Sequence, residues 1–533
     1  MKTTPQNFLH FGHTVRTAKL FFIAMVLSAN LAVSQTNDHV IENIVKEGNG
    51  NSQLEKLAHE LFDRIGPRLV GTPQMQQAHD WAVTKYNGWG IPAKNEKWGE
   101  WKGWERGVTH IDMVLPRVKS LEGTQLAWSP ATSGKGVTAE LIIIPDLADS
   151  LAFEQWLPNV KGKFVMVSMN QPTGRPDYNW QEFGTKESFE KMKTARTVQT
   201  EAWRKRISKT GYSNRSLPIA LEKAGAAGII GSNWSAGFGV NKIFNAYTNK
   251  IPTVDIALED YGLLYRLVES GDNPKISIRT DSKDLGMVPT FNTIAEIKGS
   301  EKPDEYVMLS AHFDSWDGGT GATDNGTGTL TMMEALRILK LVYPNPKRTI
   351  LAGHWGSEEQ GLNGSKSFVE DHPEIVKNLQ VLFNQDNGTG RVVNISGQGF
   401  LHSYEYLTRW LSKVPADFKS QIETRFPGTP GGGGSDFASF VAAGAPAFSL
   451  SSNSWLYFSY TWHTNRDTYD KIVFDDVRNN AILTAILVYM ASEDPTNTSR
   501  EKSVLPVDPK TGKPGAWPVL TKPIRKGPVV PTN

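Results

Sequence analysis

Three apolar runs in the second half of the chain each end in side chains that bind metals. "VMLSAHFDS" delivers His312 and Asp314, "ILAGHWGSEEQG" delivers Glu358 and Glu359, and "VLFNQDNG" delivers Asp386. Short apolar runs bounded by turn residues read as buried β-strands. Leu330 to Leu341, between the first two, has a helical pattern. Strands alternating with helices predict an α/β fold, a mixed and mostly parallel sheet flanked by helices. In such a sheet the loops after the strands gather at one edge. Acids and histidines scattered along the chain then meet in space.

The loop after the first strand, "SAHFDSWDGGTGATDNGTGT" (Ser310 to Thr329), adds Asp317, Asp324 and Asn325. Its glycines suit neither helix nor strand, and let the backbone turn tightly between residues 312 and 324. Further on, "YTWHTNRDTYD" adds His463. His312, Asp324, Glu359, Asp386 and His463 make five side chains of zinc-binding type. A single catalytic zinc takes three protein ligands and keeps a position open. Five ligands suit two ions that share one carboxylate, a site that holds its ions about 3.5–4 Å apart and generates hydroxide between them. The adjacent Glu358 and Glu359 can divide two roles, one as ligand and one as general base. Asp314, two residues after His312 on an extended segment, shares its face and is placed to orient the imidazole.

Composition removes other classes. The 533 residues carry a net charge of +2, which gives no support to nucleic-acid binding. There is no cysteine, so disulfides, thiolate metal sites and a lipid anchor are excluded. At the N-terminus a basic lead (Lys2, Arg16, Lys19) precedes the apolar run Leu20 to Val33 and the small-residue motif "AVSQ". This pattern predicts a cleaved export signal over residues 1–34 and a secreted or periplasmic protein. The run is shorter than the roughly 20 residues a membrane span needs.

Four motifs in order, "SAHFDSWDGGTGATDNGTGT", "GSEEQGLNGS", "NQDNGTG" and "WHTNRDT", resemble the co-catalytic zinc exopeptidases that include aminopeptidase Y, glutamate carboxypeptidase and carboxypeptidase Q. The H-x-D-S-W-D spacing is most similar to carboxypeptidase Q. The resemblance implies two zinc ions per chain. His312, Asp324 and Asp386 would bind one ion, and Asp324, Glu359 and His463 the other, with Asp324 as the bridge. Glu358 would be the general base and Asp314 would orient His312. Tyr460, three residues before His463, is a candidate to hydrogen-bond the oxyanion on the substrate. Hydrolysis of terminal bonds in dipeptides or short peptides is implied, and a homodimer by family analogy.

The same resemblance divides the chain. Residues 35–120 and 286–501 would form the peptidase, and 121–285 a smaller β-rich α/β insert resembling a protease-associated domain. A Pro-, Lys- and Gly-rich extended tail would cover 502–533. One departure is "GGGGSDFASF", where Phe437 replaces a histidine common in the family. Gly431 to Gly434 is expected to form a flexible cleft wall. His354, inside an apolar strand, reads as a satisfied core residue, and Asp317 as a turn residue. Arg391, Arg409, Arg425 and Arg466 are candidate carboxylate clamps. An aminopeptidase acting on longer peptides is the alternative within the family, and a non-catalytic receptor and a single-zinc glutaminyl-cyclase-like relative are the rival readings. Both rivals are disfavoured by the full ligand set.

Overall fold

The computed structural model describes residues 39–507 and 509–528. The export signal read over residues 1–34 lies outside them. Six strands frame the site: β1 (Ala93–Leu115), β2 (Lys275–Ile297), β3 (Lys302–His312), β4 (Arg348–Trp355), β5 (Leu379–Asn384) and β6 (Ala447–Ser452). Five of them run side by side in the order β6-β5-β3-β4-β2, and β1 pairs with β2. The first four of that series are mutually parallel, and β2 is antiparallel to β4. Every residue of β4 and β5 is buried. That is the pattern of a sheet covered on both faces, and it explains why these strands are continuous apolar runs. Helix α1 (Thr327–Val342) packs against α2 (Phe474–Glu493), which is buried around most of its circumference by Val477, Ile482, Leu483, Ile486 and Leu487.

Register puts three strand ends level. Trp355 pairs with His312, and Asn384 with Ser310. Parallel direction then sends the loops after β3, β4 and β5 to the same edge.

The segment between β1 and β2 forms a second layer of structure. Strands Val137–Ile143, Phe164–Met166, Gly228–Gly231 and Thr253–Ile256 pair in parallel, and Gly123–Gln125 closes one edge antiparallel. They have their own apolar clusters, around Ile230, Val254 and Leu264 and around Phe153, Val165 and Leu221. The sheet is nevertheless continuous, because Val137 to Glu140 pairs with the start of β2. The boundary read at residue 285 falls inside β2. A strand that serves both bodies shows no composition change where one ends.

β1 and β2 pair along their whole length, from Ala93 with Ala295 to Leu115 with Lys275. The register shifts between Lys97 and Gly99 and again between Gly103 and Trp104. Such bulges re-aim side chains along a strand. Here they bring Trp98, Trp101 and Trp104, spaced by three, into one cluster with Trp128, Ile243 and Trp316. Near the C-terminus, Lys526–Gly527 adds a short parallel pairing to β1 at Glu100 and Trp101.

Candidate metal centre

The strand-end loops bring the five ligand candidates together in two overlapping groups. One oxygen or nitrogen from each of His312, Asp324 and Asp386 lies within 4.8 Å of the others, and the same holds for Asp324, Glu359 and His463. Asp324 belongs to both groups, and its two oxygens face different ways. Oδ1 is 3.5 Å from His312 Nε2, and Oδ2 is 3.4 Å from His463 Nε2. His312 Nε2 is also 3.2 Å from Asp386 Oδ1, and His463 Nε2 is 2.9 Å from Glu359 Oε2.

Local structure explains how each side chain reaches this point. The glycine-rich loop is pinned from several directions. Arg68, fully buried, donates to the carbonyl oxygens of Phe313, Thr320 and Gly321. Gly321 has φ +62, and a Cβ there would lie 2.3 Å from that of Ser315. A Cβ on Gly319 would lie 2.6 Å from the Asp467 carbonyl oxygen. These two glycines are required by backbone conformation and by close approach respectively. The carboxylate of Asp467 then accepts the N–H groups of Thr323 and Asp324 at 2.7 and 2.9 Å. Ser357 and His463 both hold left-handed backbone, φ 61. Such strain costs on the order of 1–3 kcal/mol per residue and persists where the surroundings fix it.

Asp314 works differently from the sequence expectation. His312 Nδ1 lies 3.0 Å from the carbonyl oxygen of Asp314 and 3.7 Å from its carboxylate. The carboxylate instead accepts the backbone N–H of Glu358 at 3.0 Å and of Glu359 at 3.3 Å. One residue therefore orients a histidine through its backbone and the acidic turn through its side chain. Asp317, read as a turn residue, is an ion-pair partner. Both its oxygens accept from Arg106 at 2.8 Å, tying the loop to β1. Tyr460 donates its hydroxyl to Tyr178 at 2.6 Å. The tyrosine that faces the carboxylates is Tyr457, one helical turn earlier and buried, whose hydroxyl stabilises ionised Asp324.

The electrostatics are those of a site built around cations. Burial first, and then neighbouring carboxylates, push Glu358 and Glu359 well above the usual carboxylate range. Burial raises Asp436 and Asp467 to about 7. Burial opposes charge on His312, yet the Asp386 and Glu358 carboxylates outweigh it and raise its pKa well above the ordinary value. Burial lowers His463 to about 4, keeping it neutral. Asp324 Oδ2 and Glu359 Oε1 are buried without a hydrogen-bond partner. A buried carboxylate oxygen is stable only when paired or bound to metal. The carboxylate and imidazole donors here fit zinc.

A model of peptidase family M28 matches residues 292–488, the span from late β2 to α2 that carries every one of these groups. Residues 292–488 are an M28 peptidase domain, and the chain is a zinc metallopeptidase. Its sequence is similar to carboxypeptidase Q of Rattus norvegicus, 26% identical over 449 residues, covering 83% of this chain and 86% of that protein. Carboxypeptidase Q of Homo sapiens is 26% identical with the same coverage. Among solved structures, a peptidase M28 precursor from Shewanella amazonensis aligns with TM-score 0.65 and 25% identity, over 89% of this chain and 99% of that one. The fold also matches BSAP, a zinc aminopeptidase from Bacillus subtilis, with TM-score 0.54 and 19% identity over 84% of this chain and 97% of that one. The M28 centre opens onto a cavity of about 1050 Å³ that reaches from Glu359 and Gln360 to the segment between β1 and β2. Gly431 to Gly434, expected as a cleft wall, does not line this cavity; Gly431 packs against Phe437.

Proposed function

We propose that the chain is an exported di-zinc exopeptidase acting on dipeptides or short peptides. The observation that carries this is the divided carboxylate of Asp324, one oxygen toward His312 and the other toward His463. His312, Asp324 and Asp386 would hold one zinc, and Asp324, Glu359 and His463 the other. Zinc, when bound, supplies a Lewis acid for the scissile carbonyl and a lowered pKa for water. Glu358 is the general base: it takes the proton of the attacking water and hands it to the leaving amine. Its N–H bond to Asp314 fixes where that carboxylate points. Asp314 is thus a positioning residue for both His312 and Glu358.

Residues 121–285 act as an insert of the protease-associated kind that walls the cleft and shapes substrate choice. The apolar leader supports export, and among the described residues no helix is long and apolar enough to cross a membrane. Homodimerisation remains part of this reading by analogy with the family. Elemental analysis tests the metal count, with two zinc per chain expected; one or none would sink the two-ion reading. N-blocked and C-blocked dipeptides, assayed with zinc, test the substrate end. Cleavage of N-blocked but not C-blocked peptides is expected, and the reverse would point to an aminopeptidase.

A further inference from the structure

The cavity beside Glu359 has an uneven charge. Glu359, already assigned to metal, is its one acidic lining residue, while Lys102, Arg204 and Arg215 line it as cations. Lys102 is paired with Asp284 at 3.5 Å. Arg204 and Arg215, by contrast, have no carboxylate partner among the described residues; Arg215 lies only over the Tyr247 ring, 6.0 Å from its centroid. The arginines singled out from the sequence are engaged elsewhere. Arg391 pairs with Asp476, Arg409 with Asp494 and Arg466 with Glu122, while Arg425 sits on an exposed edge strand.

The middle of the cavity offers groups suited to a peptide backbone. Trp101 and Trp316 line it, are buried, and carry indole N–H groups without an acceptor. Gln360, next to the metal-ligand Glu359, has both amide atoms buried and unpartnered. A buried donor without an acceptor costs about 1–3 kcal/mol. A bound ligand whose carbonyl and amide groups meet these atoms relieves that cost. The surrounding rings, including Trp128 and Phe244, suit apolar side chains.

We infer that Arg204 and Arg215 read the free carboxylate of a short, apolar peptide whose backbone is held by Trp101, Trp316 and Gln360 and whose scissile bond lies at Glu359. This rests on the peptidase reading above and names the substrate end that the segment between β1 and β2 recognises. Guanidinium groups bind carboxylates through paired, charge-assisted hydrogen bonds, so an amide in place of the carboxylate should bind less well.

The test uses the full chain and peptides of two to five residues containing Leu and Phe, each as free acid and as C-terminal amide. Binding to chelator-treated protein is followed by tryptophan fluorescence, and KM by hydrolysis with zinc. The wild type is expected to favour the best free acid over its amide by about tenfold or more in both readouts. In the Arg204→Ala/Arg215→Ala double variant that ratio should fall toward one. Both arginines are exposed, so the fold tolerates the change. A ratio that survives the double substitution overturns the proposal, as does a wild type that shows no preference. Failure of the peptidase reading would look different: free acids would bind the chelated protein, yet zinc would restore no hydrolysis.

Discussion

The carboxylate of Asp467 accepts the backbone N–H of Asp324 at 2.9 Å, so a residue four positions after His463 sets the backbone of the proposed shared ligand. One carboxylate thus holds the N–H groups of both Thr323 and Asp324.

Asp467→Ala leaves two buried N–H groups, those of Thr323 and Asp324, without an acceptor. Each costs about 1–3 kcal/mol, so a loss of about 2–6 kcal/mol in unfolding free energy is expected, with weaker zinc retention. Denaturant unfolding and zinc titration measure the two effects. Wild-type values for both would show that the Asp467 contacts contribute nothing.

Glu358→Gln keeps the backbone bond to Asp314 but removes the proposed base. Hydrolysis should fall by about 10²–10⁴-fold, because that is the usual contribution of a positioned base. Zinc content by elemental analysis should not change. Glu359→Gln should instead lower the zinc content. If the two variants behaved alike, the division of roles between the neighbouring glutamates would be wrong.

Tyr457→Phe removes a hydroxyl that faces Asp324 without altering shape. Partners of metal ligands contribute about 10–100-fold in affinity or activity, and a loss in that range is expected. Tyr460→Phe, whose hydroxyl meets Tyr178 instead, should have little effect on zinc affinity. Competition with a chelating dye distinguishes the two.

Acid should weaken the fold through two buried histidines outside the set of five candidate ligands. Burial lowers both His79 and His354 to about 3. His354 Nε2 meets the Tyr86 hydroxyl at 2.7 Å, and His79 Nδ1 meets Thr293 Oγ1 at 2.8 Å. The unfolded chain binds protons at these side chains below pH 6.5, while the folded chain resists until about pH 3. Their stabilisation is therefore complete above pH 6.5 and falls as pH drops toward 3, by up to about 1.4 kcal/mol per pH unit for each histidine. Denaturant midpoints between pH 4.5 and 7.5 check the slope, which should flatten in a His354→Phe variant. An unchanged slope would assign the acid sensitivity elsewhere.

Much of the candidate site is legible in the sequence because of where the candidate ligands follow strands. His312, Glu359 and Asp386 each follow an apolar run, and a parallel sheet leaves its strand-end loops at one edge. The helix read over Leu330 to Leu341 is the body of Thr327–Val342. The long strand β1 is hidden, because its tryptophans recur every third residue and bulges rather than helical geometry bring them to one side. The helices Lys186–Lys209 and Phe474–Glu493 also escape notice. The first has one buried residue, Met192, and so little amphipathic signal; the second is apolar on nearly every face.

The sequence by itself determined the fold class, the family and the inventory of acids and histidines, because local hydrophobic runs and short motifs carry that information. Only the tertiary structure decided which partners those residues take. It joined Asp467 to Asp324, Asp314 to the N–H groups of Glu358 and Glu359, and Arg106 to Asp317, and it put Tyr457 rather than Tyr460 at the carboxylates. Hydrogen bonds act over about 3 Å of space, whatever the distance along the chain, and leave no periodic trace in sequence.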